Sequence, residues 1–271
     1  MPSAKPIYVV GDSHIASTKL AVDAGLLPEF ADRIRFWGAA GPAYRGLFLK
    51  QGRIVANASA VGALDVVRGP HGLPSLGPED GSLFIFYGAR LRMGELLREL
   101  HEYTVKVGPV SSAVLQTLLH RWLQTKRAYS FARSFADAGS DVVIVPTALP
   151  TAGVFEAHQE AKWFHLPRDS WVVDRCFKML ESIGRAEGTP IQLQPAETIT
   201  DQMMTRAEFK VEQPPEGRDV VHKSPEFAAI LLRQILADFP TKAKAAKSKS
   251  PRKPRTPKHS EPGPAEEVSQ T

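Results

Sequence analysis

The stretch VVGDSHIAS, residues 9–17, decides how the rest of the chain is read. The apolar run Ile7 to Val10 stops at Gly11, and a small polar cluster, Asp12-Ser13-His14, separates it from a helix-like segment. A strand that ends this way presents a serine hydroxyl at the edge of a sheet, but an ordinary capped turn has the same spelling. What surrounds the stretch has to separate the two readings.

Similar short apolar runs recur along the chain. IYVV at 7–10, RIRFWG at 33–38, SLFIFYG at 82–88, DVVIVPTALP at 141–150 (ended by Pro146) and TPIQLQP at 189–195 read as strands. Between them lie helical patterns at Ser17 to Phe30, Met93 to Phe135, SWVVDRCFKMLESIG at 170–184 and PEFAAILLRQILADF at 225–239. Runs of four to six apolar residues without strict alternation suit strands buried on both faces, and intervening helices imply parallel pairing with right-handed crossovers. The expected fold class is α/β, three-layer α/β/α, with a parallel sheet of about five strands. In such sheets ligands bind beyond the carboxyl ends of the strands, where Gly11-Asp12-Ser13-His14 falls.

Two segments do not fit the alternation. Gln51 to Gly81, rich in Gly and Pro, reads as a long loop or small hairpin; Thr151 to Asp169 mixes aromatic and charged residues after a strand end. Segments of this length line clefts or decorate surfaces.

Composition narrows the function. The net charge of +5 belongs to residues 241–271, which hold eight Lys and Arg against three Glu, so residues 1–240 carry 26 basic and 26 acidic side chains. The Lys, Pro and Ser-rich tail has too few apolar side chains to offset its ordering entropy and is expected to be disordered. The chain therefore divides into a domain at 1–240 and a tail at 241–271. The basic block would attract an anionic partner only weakly, and it has no aromatic interleaving or nucleic-acid motif.

A single cysteine, Cys176, excludes an intrachain disulfide and a zinc cluster of several thiolates. No metal or cofactor is expected. No run approaches the ~18 apolar residues of a membrane span and no signal peptide is read, so the expected location is cytoplasmic.

A serine nucleophile needs a base, a group that orients the base, and donors for the oxyanion. Eight histidines are available: His14, His71, His101, His120, His158, His165, His222 and His259. His101 and His120 lie in helical patterns, and His259 is in the tail. His222 follows Asp219 by three residues, just before Ser224-Pro225 opens the last helix. A D-x-x-H step lets the carboxylate fold back onto the imidazole. Chance supplies about 0.35 such pairs in a chain of this composition, so position has to carry the argument.

With Gly11-Asp12-Ser13 after the first strand and Asp219-Val220-Val221-His222 before the last helix, the sequence resembles the SGNH hydrolase superfamily, the GDSL-type esterases and lipases. The resemblance implies a flavodoxin-like fold, Ser13 as nucleophile, His222 as base and Asp219 as its partner. It also implies an oxyanion hole from the backbone N–H groups of Ser13 and Gly41, Gly41 matching the spacing better than Gly38. The family's third block, G-x-N-D, reads Tyr87-Gly88-Ala89-Arg90 here, without the asparagine. Arg90 or Arg92 would then supply a guanidinium donor instead, or act only as a surface charge.

The GDSH spelling is also similar to SGNH domains associated with acyl transfer on bacterial surface sugars, which widens the acceptor from water to a carbohydrate hydroxyl. The expected substrate is a small-molecule or carbohydrate ester, and the rival is a non-catalytic binding domain. His14, adjacent to Ser13 in the chain and so pointing away from its hydroxyl, is expected to be structural or to support the residues that contact the substrate. VPTALPTAG at 145–153 resembles the family's fourth strand end, and Met203, Met204 and Phe209 form either an apolar acyl wall or core packing.

Overall fold

In a computed structural model of the chain, which describes residues 5–70, 72–154, 171–212 and 219–239, all but one of the expected strands form. The strands are β1 (Ile7–Gly11), β2 (Ile34–Gly38), β3 (Leu47–Lys50), β4 (Arg53–Ala56), β5 (Leu83–Arg92) and β6 (Val142–Thr147). The helices are α1 (Ile15–Asp23), α2 (Ala58–Arg68), α3 (Met93–Val107), α4 (Ser112–Gln124), α5 (Arg127–Asp137), α6 (Trp171–Ala186) and α7 (Pro225–Asp238). All lie within the unit Met1–Phe239. The tail from residue 240 is outside the described residues.

The main sheet is parallel, in the order β2-β1-β5-β6. Successive side chains of a strand face opposite sides, so one set of strands feeds two cores. Tyr8, Val10, Phe84, Phe86 and Ile144 belong to one core with residues of α2 to α6; Ile7, Val9, Leu83, Ile85, Val143 and Val145 belong to the other with α1 and α7. The result is a three-layer α/β/α arrangement. Burial on both faces explains why the strands read as continuous apolar runs.

Several expectations are corrected. The fifth strand is reduced to one bridge, Ile191 beside Ile144, held by Ile144 N–H to Pro190 O at 2.8 Å and Gln192 N–H to Ile144 O at 2.8 Å. Pro190 and Pro195 have no N–H to extend the ladder. The first helix ends at Asp23 instead of reaching Phe30, and Met93 to Phe135 contains three helices. For Gln51 to Gly81 the small-hairpin alternative holds, β3 and β4 pairing antiparallel through Gln51-Gly52, and what was not expected is the helix α2 that follows, with Asn57 accepting from Ser59 N–H as its cap. Pro146 does not end β6, because β5 bulges opposite it: the register passes from Tyr87↔Val145 to Arg92↔Thr147. No ladder N–H is required where the partner strand has left the sheet plane.

At the carboxyl edge the strands approach closely. Gly38 pairs with Gly11 in the β1–β2 register and has φ +150; a Cβ there would lie 1.9 Å from Gly11 O. Only glycine fits, and this closeness sets the floor from which Asp12 and Ser13 rise.

Candidate functional site

Ser13 lies in the turn between β1 and α1, where Ile15 N–H bonds to Asp12 O at 3.2 Å and Ala16 N–H to Ser13 O at 3.1 Å. These bonds use the Ile15 and Ala16 N–H groups, and His14 N–H is taken by Asp12 Oδ1 at 3.2 Å, so the Ser13 N–H is the donor this turn offers beside the hydroxyl. His222 reaches it from the other end of the chain. Ser224 caps α7 through Phe227 N–H at 3.5 Å, with Pro225 as the first helical residue. The apolar faces of α1 and α7 share one core through Ile15, Ala21, Phe227, Leu231 and Ile235, which brings the two helix starts together.

His222 Nε2 is 2.9 Å from Ser13 Oγ, and His222 Nδ1 is 2.6 Å from Asp219 Oδ2. An ionised carboxylate only accepts, so Nδ1–H donates to Asp219 and Nε2 of the neutral ring accepts from the serine hydroxyl. Asp219 Oδ1 also accepts from Val221 N–H at 3.1 Å and His222 N–H at 3.0 Å, an Asx turn that shapes the loop holding the imidazole. Burial pushes the Asp219 carboxyl up, but the hydrogen bonds from the His222 backbone and ring and from Val221 outweigh it and hold its pKa below the usual value. The three sequence-expected residues therefore converge, 209 residues apart in the case of the serine and histidine.

A second carboxylate–imidazole pair stands next to the first. Asp12, 4% exposed, accepts from His14 Nδ1–H at 2.7 Å, from His14 N–H at 3.2 Å and from Arg90 N–H at 3.1 Å. Burial raises its pKa, and these bonds together with the imidazole's charge bring it below the usual value. The His14 and His222 rings are 5.0 Å apart between centroids. Adjacent residues of one turn thus serve different imidazoles.

The β5 bulge covers the site. Gly88, Ala89 and Arg90 have φ of +68, +44 and +62. A Cβ on Gly88 would meet His14 Cβ at 2.7 Å, so glycine is needed there. Ala89 and Arg90 hold the left-handed region at a cost of about 1–2 kcal/mol each. The bond from Arg90 N–H to Asp12 helps hold them there. That bond uses the Arg90 backbone donor, while its guanidinium donates to Gly41 O at 3.2 Å and keeps further N–H groups. Gly41 opens a short 3-10 helix, Gly41–Gly46, directly after β2. A cleft of about 190 Å³ next to the pair is lined by His14, Arg92, Gly94, Thr147, Pro150 and Val221, among others.

Other expected residues lie elsewhere. Met203 joins the core on the opposite sheet face, and Phe209 packs edge-on against Phe227 at 5.8 Å, so both are packing residues and not a wall of this cleft. His120 pairs with Glu187 at 2.9 Å, away from the serine. His71, His158, His165 and His259, with most of the 151–169 segment, are outside the described residues. Among the described residues no three His, Cys, Asp or Glu side chains gather as a metal site, and no helix is long and apolar enough to cross a membrane.

Sequence reading did not single out Lys223. It is 4% exposed, and its ammonium donates to Val220 O at 2.9 Å and Val221 O at 3.0 Å, tying the D-x-x-H loop from beneath. Burial lowers its pKa to about 7, against the opposing charge of Asp219. An amine depressed in the folded chain destabilises it most below the folded pKa, and that cost disappears as pH rises to the unfolded value near ~10.4. Lys223→Met removes this dependence. Between pH 7 and 9, wild type should gain unfolding free energy relative to the variant, by up to about 1.4 kcal/mol per pH unit. Urea unfolding of both proteins measures it, and a pH-independent difference would contradict the assignment.

Comparison with solved structures finds the periplasmic domain of a lipopolysaccharide acetyltransferase from Salmonella ser. Paratyphi A. It is 11% identical, with 88% of this chain and 85% of that one covered and a TM-score of 0.42. That degree of likeness assigns no residue a role. No protein-family model and no curated protein matches the chain.

Proposed function

We propose that the protein is a serine-dependent acyl-ester hydrolase of SGNH type. The observation that carries this reading is the hydrogen-bonded series Ser13 Oγ, His222 and Asp219, at 2.9 and 2.6 Å. Ser13 Oγ attacks the ester carbonyl as His222 Nε2 takes its proton. The tetrahedral intermediate collapses, the C–O bond to the alcohol breaks, and His222 returns the proton to the departing oxygen. Water activated by the same imidazole then releases the acyl group as the acid. Asp219 stabilises the imidazolium throughout.

The oxyanion is held by the N–H groups of Ser13 and Gly41 and by the Arg90 guanidinium, in the place where the family has an asparagine amide. Loss of one oxyanion donor costs about 10²–10³ in rate. Arg90→Ala should therefore lower kcat for p-nitrophenyl acetate by that factor with a smaller change in KM. Arg90→Asn should recover part of the loss, because asparagine tolerates the left-handed backbone and carries an amide donor. An Arg90→Ala enzyme at the wild-type rate would remove Arg90 from the oxyanion hole.

A second reading, transfer of the acyl group to a carbohydrate hydroxyl, is favoured by His14: its ring is oriented by Asp12 and lines the cleft beside His222, so an alcohol has a second imidazole to meet there. A fluorophosphonate probe tests the common core of both readings. It should label Ser13 in the intact protein. An unlabelled Ser13 in folded protein, with no turnover of short esters, would favour a binding domain instead.

A further inference from the structure

Beside the β5 bulge lies a second hollow, of about 440 Å³, which shares Arg92 and Glu95 with the cleft next to His14. Five cations line it: Arg45, Arg90, Arg92, Lys126 and Arg127, with Glu95 as the one carboxylate. Residues 1–240 carry equal numbers of basic and acidic side chains, so this concentration does not follow from overall charge. Glu95 is bonded to Arg92. Among the described residues no carboxylate pairs with Arg45, Arg90, Lys126 or Arg127. Arg127 is held by the carbonyls of Arg45 and Leu47, Arg90 by that of Gly41, and Lys126 lies 4.9 Å over the Trp122 ring. These contacts position the charges without neutralising them.

A further observation at the same wall points to a ligand. Tyr44 is 1% exposed and its hydroxyl has no hydrogen-bond partner. A buried donor left unmade is costly, and few persist without a reason. Burial first, and the charge of Asp12 second, push its pKa far above the ordinary phenol value, so the group remains an O–H donor. An acceptor oxygen is what it lacks.

We propose that this hollow binds an oxyanionic group of the substrate, a phosphate or a carboxylate, and so restricts the ester processed at Ser13 to an anionic one. Guanidinium forks match both anions bidentately, and the volume accommodates a group the size of a sugar phosphate. Arg90 links the two places: its backbone is held by the residue before Ser13, and its side chain lines the hollow. The restriction on the ester rests on the hydrolase reading; the anion site itself does not.

The test compares 1-acetylglycerol with 1-acetylglycerol 3-phosphate and 3-O-acetylglycerate, using the full chain. One or both anionic esters should exceed the neutral one in kcat/KM by about tenfold or more, as one charge-assisted contact allows. The better of the two identifies the anion. In the Arg45→Gln/Lys126→Gln double variant that ratio should fall toward one; the tail is common to both proteins and cancels. Arg45 is exposed, so its loss leaves the core intact, and Tyr44→Phe provides a second variant with the same expected direction. A wild-type ratio near one, or a ratio unchanged in the double variant, overturns the proposal. Titrating 1-acetylglycerol 3-phosphate into Ser13→Ala protein by calorimetry separates the two readings. Binding there that is lost in the Arg45→Gln/Lys126→Gln background supports the hollow even if wild-type Ser13 resists the fluorophosphonate, a result that would sink the hydrolase alone.

Discussion

Ser13→Ala should lower kcat for short acyl esters by between about 10⁴ and 10⁶, the range seen when the nucleophile of a serine hydrolase is removed. The loss is that large because the other groups act only through this oxygen. His222 Nε2 accepts from Ser13 Oγ, and without it the imidazole has no proton to take from a nucleophile. The remaining donors at the α1 turn and at Gly41 still bind a polarised carbonyl, so some acceleration over water persists and KM changes little. Stability should also change little. The backbone of the turn is held by Ala16 N–H on Ser13 O, a bond that alanine keeps. Ester turnover, fluorophosphonate labelling and urea unfolding on the same preparation read all three effects. A folded Ser13→Ala protein within tenfold of wild-type turnover would require a different nucleophile.

The features legible in the sequence are those coded locally. β1, β6 and the first half of β5 are runs whose residues face two cores, so each reads as apolar, whereas β2 at the sheet edge keeps Arg35 exposed within its run. Asp219, His222 and the cap at Ser224 fall within six residues, so their geometry follows from one Asx turn and one helix start. Helix α2 was hidden because Gly62 and a glycine-rich flank outweigh its apolar positions, and what stabilises it is the Asn57 cap and the burial of Ala60 and Leu64.

Other features depend on contacts between distant segments and have no local signature. Left-handed backbone at Ala89 and Arg90 is disfavoured by both residues. Asp12 imposes it from 78 positions away by accepting from Arg90 N–H, and the bulge in turn excuses Pro146 from the ladder. The left-handed conformation of Arg90 and the buried carboxylate of Asp12 are therefore coupled: changing Asp12 would move Arg90. The basic hollow is assembled from residues 45, 90, 92, 126 and 127, which no single window of sequence brings together.

Asp219→Asn tests the orientation of the base. Asparagine can keep the turn, since its amide oxygen still accepts from Val221 and His222 N–H as Oδ1 does now, at 3.1 and 3.0 Å. The other end of the side chain then presents an NH₂ to His222 Nδ1 in place of a carboxylate oxygen at 2.6 Å. A donor there makes Nδ1 the acceptor and moves the ring proton to Nε2. The nitrogen facing Ser13 can then no longer take the hydroxyl proton, and no carboxylate balances an imidazolium. The expected loss in kcat is about 10⁴-fold, with the fold, and binding of 1-acetylglycerol 3-phosphate in the basic hollow, retained. Asp219→Ala should cost at least as much in rate and should also destabilise the loop, because two backbone N–H groups lose their acceptor. Equal stability losses for the two variants would mean that the hydrogen bonds Asp219 accepts from Val221 and His222 N–H do not stabilise the loop, and an Asn variant within tenfold of wild type would mean that the imidazole is oriented by something else.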